Sequence, residues 1–390
     1  MLTVIGIGMD GDSTLTAEGL WEIEDADYLI GSERAVQRFA DKKKTYVEWS
    51  AEKIENIIRS EQGNGAYLVS GDVGFYSGAK QMQERLGKEN VRFVAGISTP
   101  VYMCAKLGIP WERVKLISLH GNDAPVAVHC AVNEYVFAIT SGGDAVKDIA
   151  RRLIVYELPD LHIWVGEDLG YPTEQITEGS LQEIAEYERG FSHLCSIVIY
   201  NSRPGTAYSF GIPDDRFIRR EGIPMTKAEI RAVVMSKLCI SDDTPCLDIG
   251  SGSGSVSVEL AKKACAASVT AVDISEDAVR LTMENSRRFH CDNIKAVCMD
   301  AFEYIEKNSC PDHVFIGGSG KPGKLAELIH EKNPRAEIVA TAVTPQTISQ
   351  LCLPGTEITT VSVTRTKFVN GYHLPIPMSP VHIAVIHPEG

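Results

Sequence analysis

Residues 248–254 spell D-I-G-S-G-S-G, an acid followed by three glycines at alternate positions. Glycines at 250, 252 and 254 let the backbone turn tightly and admit a ligand where a Cβ would otherwise stand. An apolar run ends just before this stretch at Cys246-Leu247, and a helical pattern from Val256 to Lys263 follows it. A second apolar run, 268–272, ends in Asp273, nineteen residues past Gly254. An acid about 20 residues beyond such a turn commonly meets the ribose hydroxyls of an adenosine cofactor. The dinucleotide pattern G-x-G-x-x-G requires glycine at 255, where the chain has Ser255. An acid followed by G-x-G-x-G instead points to S-adenosylmethionine (SAM), which has no pyrophosphate to cradle and carries a cationic sulfonium.

A second glycine-rich stretch opens the chain. V-I-G-I-G-M-D-G at 4–11 does match G-x-G-x-x-G, at Gly6, Gly8 and Gly11. Alone it predicts a dinucleotide fold, but Asp10 and Asp12 would crowd a pyrophosphate with like charge. Basic residues gather at Arg219, Arg220, Lys227 and Arg231, with Arg365 and Lys367 near the C-terminus. Arginine binds carboxylates in bidentate fashion, so this clustering fits an anionic substrate. No acid–base or nucleophile dyad is evident, and the catalytic residues are unknown at this level. The ten cysteines form no C-x-x-C pair, so no metal site is expected and free thiols in a reducing cytosol are.

These residues must be carried by regular elements. At 390 residues the chain is long enough for two domains. Strand-like and helical runs alternate throughout, which predicts an α/β architecture of mostly parallel sheets covered by helices. In the first half, strands are expected at Leu2–Ile7, Ala66–Val69, Val91–Val94, Leu116–Leu119, Tyr135–Thr140, His162–Val165 and Ser196–Tyr200. The proline- and glycine-bearing stretch at 201–213 breaks the alternation. It predicts domains at 1–202 and 211–390 joined by a linker at 203–210. Beyond it a helix over Lys227–Leu238 is expected, with late strands at His313–Ile316, Glu337–Ala342, Ile358–Arg365 and Val381–Ile386. The opening residues have no basic n-region, so no secretory signal is expected. No apolar run reaches about 18 residues, so no membrane partner is expected. A net charge of −14 argues against nucleic acid.

Four segments then carry a specific resemblance. G-I-P-D-D-R-F at 211–217, I-P-M-T-K-A-E-I-R at 223–231, D-I-G-S-G-S-G-S-V-S-V-E at 248–259 and V-F-I-G-G-S-G at 314–320 resemble the decarboxylating C15-methyltransferases of corrin synthesis. The resemblance implies a C-terminal Rossmann-like SAM methyltransferase domain. In it Thr226 and the loop Gly250, Ser251, Gly252, Ser253, Gly254 would contact SAM, with Asp273 on the ribose and Asp300 and Ala301 flanking the adenine. Arg219, Lys227, Arg231, Gly318 and Ser319 would face the macrocycle. Asp300 also has the type and place of a helix N-cap. The N-terminal half resembles the tetrapyrrole methylases through S-G-D-V-G-F-Y-S-G at 70–78 and A-G-I-S-T at 95–99. S-L-H-G at 118–121 and G-E-D-L-G-Y-P-T-E at 166–174 resemble their C5-methylating branch. This implies a tetrapyrrole-methylase α/β domain with Met9, Asp72, Phe75, Ser98 and Thr99 lining a second SAM pocket. His120 would contact substrate and Tyr76 would pack. Val73 stands where that family's loop has proline.

Together the two resemblances imply a fused, cytoplasmic, homo-oligomeric enzyme. It would methylate a corrin precursor of the precorrin-6B/6Y stage, with or without cobalt, at C5 and C15, and remove the ring C acetate. The competing readings are an RNA or protein methyltransferase, an NAD-dependent oxidoreductase built on Gly6–Gly11, and a non-catalytic SAM- or tetrapyrrole-binding protein.

Overall fold

A computed structural model describes residues 1–9, 13–119, 124–205, 210–353 and 355–387. By contacts the chain divides into two units. The first holds Met1–Asn122, Glu134–Arg151 and Asp160–Ser202; the second holds Asp123–Asn133, Arg152–Pro159 and Arg203–Gly390. Among the described residues no helix is long and apolar enough to cross a membrane.

The first unit contains two five-stranded sheets. One is wholly parallel, in the order Lys44–Val47, Tyr28–Gly31, Gly65–Val69, Leu2–Gly6, Val91–Val94. Its central strands are buried on both faces, as helix-covered parallel strands must be. The helix Ala17–Asp25 begins where Thr16 accepts the Gly19 N–H at 3.1 Å. Three adjacent strands, Gly65–Val69, Leu2–Gly6 and Val91–Val94, end side by side and feed the loops that bear the candidate residues.

The second sheet departs from the expected parallel pattern. Its order is Val114–Ser118, Tyr135–Ile139, Cys195–Tyr200, His162–Glu167, Gln175–Ser180, and only the first pair is parallel. The strand Gln175–Ser180 escaped the sequence reading because it is a polar edge strand with no fully buried residue. Tyr28–Gly31 and Lys44–Val47, each four residues long, were also not read from sequence.

The second unit is built on a seven-stranded sheet. Its order is Ile294–Cys298, Val269–Asp273, Cys246–Ile249, His313–Ile316, Glu337–Ala342, Val381–Ile386, Thr356–Val361. The first five strands are parallel and the last two pair antiparallel. Cys246–Ile249, the first strand in sequence, lies inside the sheet with its successors on either side. That is a topological switch point, where open α/β sheets bind ligands beyond the strand carboxyl ends. The expected single strand at Ile358–Arg365 is instead two. Thr356–Val361 closes the large sheet, and Thr364–Val369 pairs with Tyr372–Pro377 in a separate two-stranded ribbon. The turn Asn370-Gly371 has positive φ at both residues (51° and 86°), the geometry a two-residue hairpin needs.

Candidate active sites

In the second unit the glycine-rich loop leaves Cys246–Ile249 and enters the helix Ser255–Lys263. A Cβ on Gly250 would stand 2.2 Å from the Gly318 carbonyl oxygen, and Gly250 has φ +73°. The loop is therefore pressed against the loop after His313–Ile316, and only glycine permits it. Backbone bonds fix its path: the Gly250 N–H donates to Val272 O at 2.8 Å and the Ser253 N–H to Pro224 O at 3.2 Å. Asp273 accepts the Gly252 N–H at 2.9 Å and the Ser275 N–H at 2.9 Å. A carboxylate has further lone pairs for ligand hydroxyls. The Met299 N–H donates to the Asp273 carbonyl at 3.0 Å, which brings Asp300 and Ala301 beside it. Asp300 caps the helix Ala301–Lys307 by accepting the Phe302 and Glu303 N–H groups.

Buried polar atoms without a protein partner mark what this edge could hold. Among the described residues Asp248 Oδ1, Ser253 Oγ and Ser319 Oγ are buried and unpaired. Asp248 is fully buried; burial pushes its carboxyl up to about 7, against the lowering effect of its Ser257 hydrogen bond and with the charge of Asp273 adding to the rise. Gly318 and Gly320 have open space where a Cβ would be. This donor and acceptor set fits a ligand bearing an ammonium, a carboxylate and hydroxyls, as SAM does.

Arg231 is a correction. It has no exposed surface and cannot reach a substrate. Its Nε donates to Glu259 at 2.8 Å and its Nη1 to Asp214 at 3.0 Å. Its remaining donors meet the Thr226 and Ile212 carbonyl oxygens, and its guanidinium lies 4.7 Å from the Phe217 ring centroid. Glu259 in turn accepts the Gly211 and Ile212 N–H groups at 3.2 and 2.9 Å. The buried pair thus straps the 211–226 segment, including Thr226, against the helix Ser255–Lys263 that follows the glycine-rich loop. Arg219 and Lys227 differ: both line a cavity of about 480 Å³ whose wall also includes Asp214, Glu229 and Arg365. Burial raises the Asp214 carboxyl, but Arg365 and Arg231 outweigh it and hold the group below its ordinary value.

In the first unit three loops meet through three glycines. A Cβ on Gly96 would lie 2.2 Å from Gly71 O and 2.5 Å from Gly6 O. Gly8 and Gly71 exchange backbone hydrogen bonds at 3.1 and 2.7 Å. Gly6 is therefore required by loop-against-loop packing, and the dinucleotide reading of Gly6–Gly11 loses its basis. Gly11 itself lies outside the described residues, as does His120. Asp72 accepts the Gly74 N–H at 2.8 Å and the Gly96 N–H at 2.9 Å, tying two of the loops together. Phe75 packs on the core with Met9 and Phe137. Ser98 is buried at the start of the helix Thr99–Leu107.

Met9 and Thr99 line a cavity of about 590 Å³ in this unit, while Asp72, Phe75 and Ser98 support the loops behind it. Tyr76 packs edge-on against Phe75, with ring centroids 4.9 Å apart, but is 63% exposed, has φ +49° and also lines the cavity. Arg34, Asp168, Tyr171 and His193 also line it and were not singled out from sequence. Asp168 and Tyr171 fall inside the 166–174 segment, so a signal was present; Arg34 and His193 carried none. Asp168 holds a left-handed φ of +47° and accepts the Ser192 hydroxyl at 2.7 Å.

Each unit thus has an edge where parallel strands end and the loops beyond them are closed by glycine contacts. Comparison with known proteins bears on both. Residues 1–185 match the family model of the tetrapyrrole (corrin/porphyrin) methylases, and residues 217–386 that of the precorrin methyltransferase domain. A probable cobalt-precorrin-6B C(15)-methyltransferase (decarboxylating) of Methanococcus maripaludis is 34% identical over 44% of this chain and 96% of its own length. A precorrin-6Y C(5,15)-methyltransferase (decarboxylating) of a Sinorhizobium species is 25% identical over 88% of this chain and 84% of its own. The solved precorrin-6y C5,15-methyltransferase of Geobacter metallireducens is 30% identical over 45% of this chain and 95% of that one, with TM-score 0.41. The chain belongs to the precorrin methyltransferases, a family of SAM-dependent enzymes.

Proposed function

We propose that this chain methylates a precorrin-6-type macrocycle at C5 and C15 and removes the ring C acetate as CO2, using SAM for both transfers. The observation that carries the reading is the alignment of one chain, over 88% of its length, with a two-activity C(5,15) enzyme. The presence of a glycine-closed ligand edge in each unit supports it. Residues 1–202 would serve C5, and residues 211–390 would serve C15 and the decarboxylation, with 203–210 as connector. Positions 206–209 of that connector lie outside the described residues. The ten free cysteines fit a reducing compartment such as the cytoplasm.

When bound, SAM supplies an electrophilic methyl group on sulfur. The residues then have to align rather than activate, because an electron-rich ring carbon attacks in line with the departing thioether. In the second unit the loop Gly250–Gly254, Asp273 and Ala301 would hold the cofactor, and Thr226 would cover it from the strapped segment. Arg219 and Lys227 would orient macrocycle carboxylates. Loss of CO2 leaves an electron pair in the conjugated ring system, and a proton taken up at the former acetate carbon completes a methyl group. In the first unit Met9 and Thr99 would line the cofactor cavity, with Asp72, Phe75 and Ser98 shaping it.

Incubation of the full chain with SAM and precorrin-6B, or its cobalt form, tests the reading by product mass. The expected product has gained two methyl groups in place of hydrogens and lost one CO2. An unchanged macrocycle, or methylation without loss of CO2, rejects it.

A further inference from the structure

Replacing a hydrogen by methyl at a ring carbon takes more than alignment. The carbon gives its π pair to the methyl carbon, and the carbon–sulfur bond breaks with its electrons on sulfur. Positive charge then rests on the conjugated ring, and the carbon still carries its hydrogen. In the C15 step the departing CO2 returns an electron pair to the ring. No carboxylate leaves in the C5 step, so there the C–H bond must return its pair to the ring and give its proton to a base.

Among the described residues that line the cavity of the first unit, Asp168 is the one with a carboxylate. Its turn follows the strand His162–Glu167 and is pressed against the loop after Leu2–Gly6. A Cβ on Gly170, which has φ +83°, would stand 2.4 Å from Met9 Cβ. The Gly170 N–H donates to Glu174 at 2.7 Å. Glu174 also accepts the Tyr102 hydroxyl at 2.7 Å and pairs with Lys106 at 2.8 Å. Tyr102 and Lys106 lie on the helix that Thr99 begins. The turn is therefore fixed to Met9 and to the Thr99 helix, the two residues proposed to line the cofactor cavity.

The Asp168 carboxylate is held in place without being neutralised. One oxygen accepts the Ser192 hydroxyl at 2.7 Å and the other the Thr173 hydroxyl at 3.1 Å. The Asp168 N–H donates to Leu194 O and its carbonyl accepts the Tyr171 N–H, both at 2.9 Å. Among the described residues no lysine or arginine pairs with it. The neighbouring Glu167 is buried and does pair, with Arg189. An ionised carboxylate offers about four lone pairs, so two hydroxyl donors leave it able to take a proton. Other groups on the wall suit this less. Burial raises the Cys195 thiol above its ordinary value, which keeps it protonated, and the guanidinium of Arg34 has no acceptor. His193, exposed on the same wall, is the competing base.

We infer that Asp168 is the proton acceptor of the C5 step: its carboxylate takes the hydrogen of the newly methylated ring carbon and afterwards releases it to water. Before that transfer its negative charge stabilises the cationic ring. This rests on the proposed reaction and gives it a catalytic residue, which neither cofactor motif includes.

The test uses the full chain with Asp168→Asn and, separately, His193→Gln. Asparagine keeps the shape, tolerates the φ of +47° and can still accept the Ser192 hydroxyl, but it takes no proton. Steady-state kinetics of the C5 step are measured with macrocycle and SAM varied in turn, and with hydrogen or deuterium at C5. Asp168→Asn should lower the C5 kcat by about 100-fold or more, with both KM values unchanged. Its melting temperature, C15 methylation and CO2 release should match those of the unmodified chain. Deuterium at C5 should slow the remaining turnover, because C–H cleavage then limits it. An unchanged C5 kcat overturns the proposal while the reaction stands, and a loss in His193→Gln alone moves the role to His193. A loss restored by saturating SAM also overturns it and makes Asp168 a cofactor-holding residue. A loss without a deuterium effect overturns it as well. If the unmodified chain does not methylate precorrin-6B at C5, the functional reading itself falls and takes this one with it.

Discussion

The two candidate sites are made from the same material in different arrangements. In the second unit one loop of seven residues, Asp248–Gly254, carries most of the site, and its three glycines all have positive φ. In the first unit the corresponding edge is assembled from Gly6, Gly71 and Gly96, one at or just beyond the end of each of three adjacent strands. A ligand site concentrated in one turn shows itself as a short sequence pattern. One distributed over three turns shows itself only as scattered fragments, and its first fragment imitates a different motif. Gly6 and Gly8 mimic a dinucleotide turn because both kinds of site need backbone to approach closely, in one case a phosphate and in the other a neighbouring loop.

The difference can be broken most directly by adding one methyl group to each side. Gly250→Ala would place a Cβ 2.2 Å from Gly318 O, and Gly96→Ala would place one 2.2 Å from Gly71 O. Neither backbone oxygen can move without its loop. Displacement of a site by about 1 Å costs on the order of 100-fold in rate, so each variant should lose one methylation and keep the other. Gly250→Ala should leave a product methylated once with its acetate intact, and Gly96→Ala a decarboxylated product methylated once, both read by mass spectrometry. If Gly96→Ala stops both methylations, the two sites are not independent and the comparison fails.

Next in size is the strap. Arg231 and Glu259 are both fully buried, and removing one partner leaves an uncompensated charge. Arg231→Met should destabilise the second unit by about 3–5 kcal/mol. Calorimetry should show one transition lowered and the other unmoved. The first unit has no buried ion pair of this kind among the pairs described, so no single charge removal there should match it.

How far these differences were legible follows from the residues. The strands His313–Ile316, Glu337–Ala342 and Val381–Ile386 begin and end where the sequence places them, because continuous apolar runs between breakers admit little else. The loop Asp248–Gly254 is legible because its shape lies in backbone conformation, which glycine spacing encodes. Arg231 misled for the opposite reason: a buried and a substrate-facing arginine share one letter, and only the partners Glu259 and Asp214, 28 and 17 residues away, tell them apart. The ribbon at 364–377 was missed although Asn370-Gly371 between alternating residues is a hairpin signal. Its β-branched first strand merges in sequence with Thr356–Val361 before it.

Asp248 sharpens the comparison through pH. Its folded-state pKa of about 7 lies above the ordinary carboxylate value of 3.8, so the folded state prefers the protonated form. Its contribution is therefore fully present below about pH 4 and is lost as pH rises towards 7. Asp248→Asn should remove that slope, a difference on the order of a few kcal/mol between the ends of the window. Urea unfolding at pH 4, 5.5 and 7 measures it. A slope that persists in the variant assigns the effect elsewhere.

The smallest effect is expected at Tyr76, which occupies in the first unit a left-handed conformation that the Asp248–Gly254 loop of the second unit fills with glycines. A non-glycine residue at φ +49° carries strain of about 1–2 kcal/mol. Gly would relieve it but adds flexibility to the unfolded chain, so Tyr76→Gly should change stability by less than about 1 kcal/mol. A large aromatic ring at 63% exposure on a cavity wall, in a conformation it disfavours, is placed where it would contact a ligand. The variant should therefore raise the macrocycle KM of the C5 step by up to about tenfold and leave the C15 step unchanged. Equal kinetics at C5 would make Tyr76 a bystander.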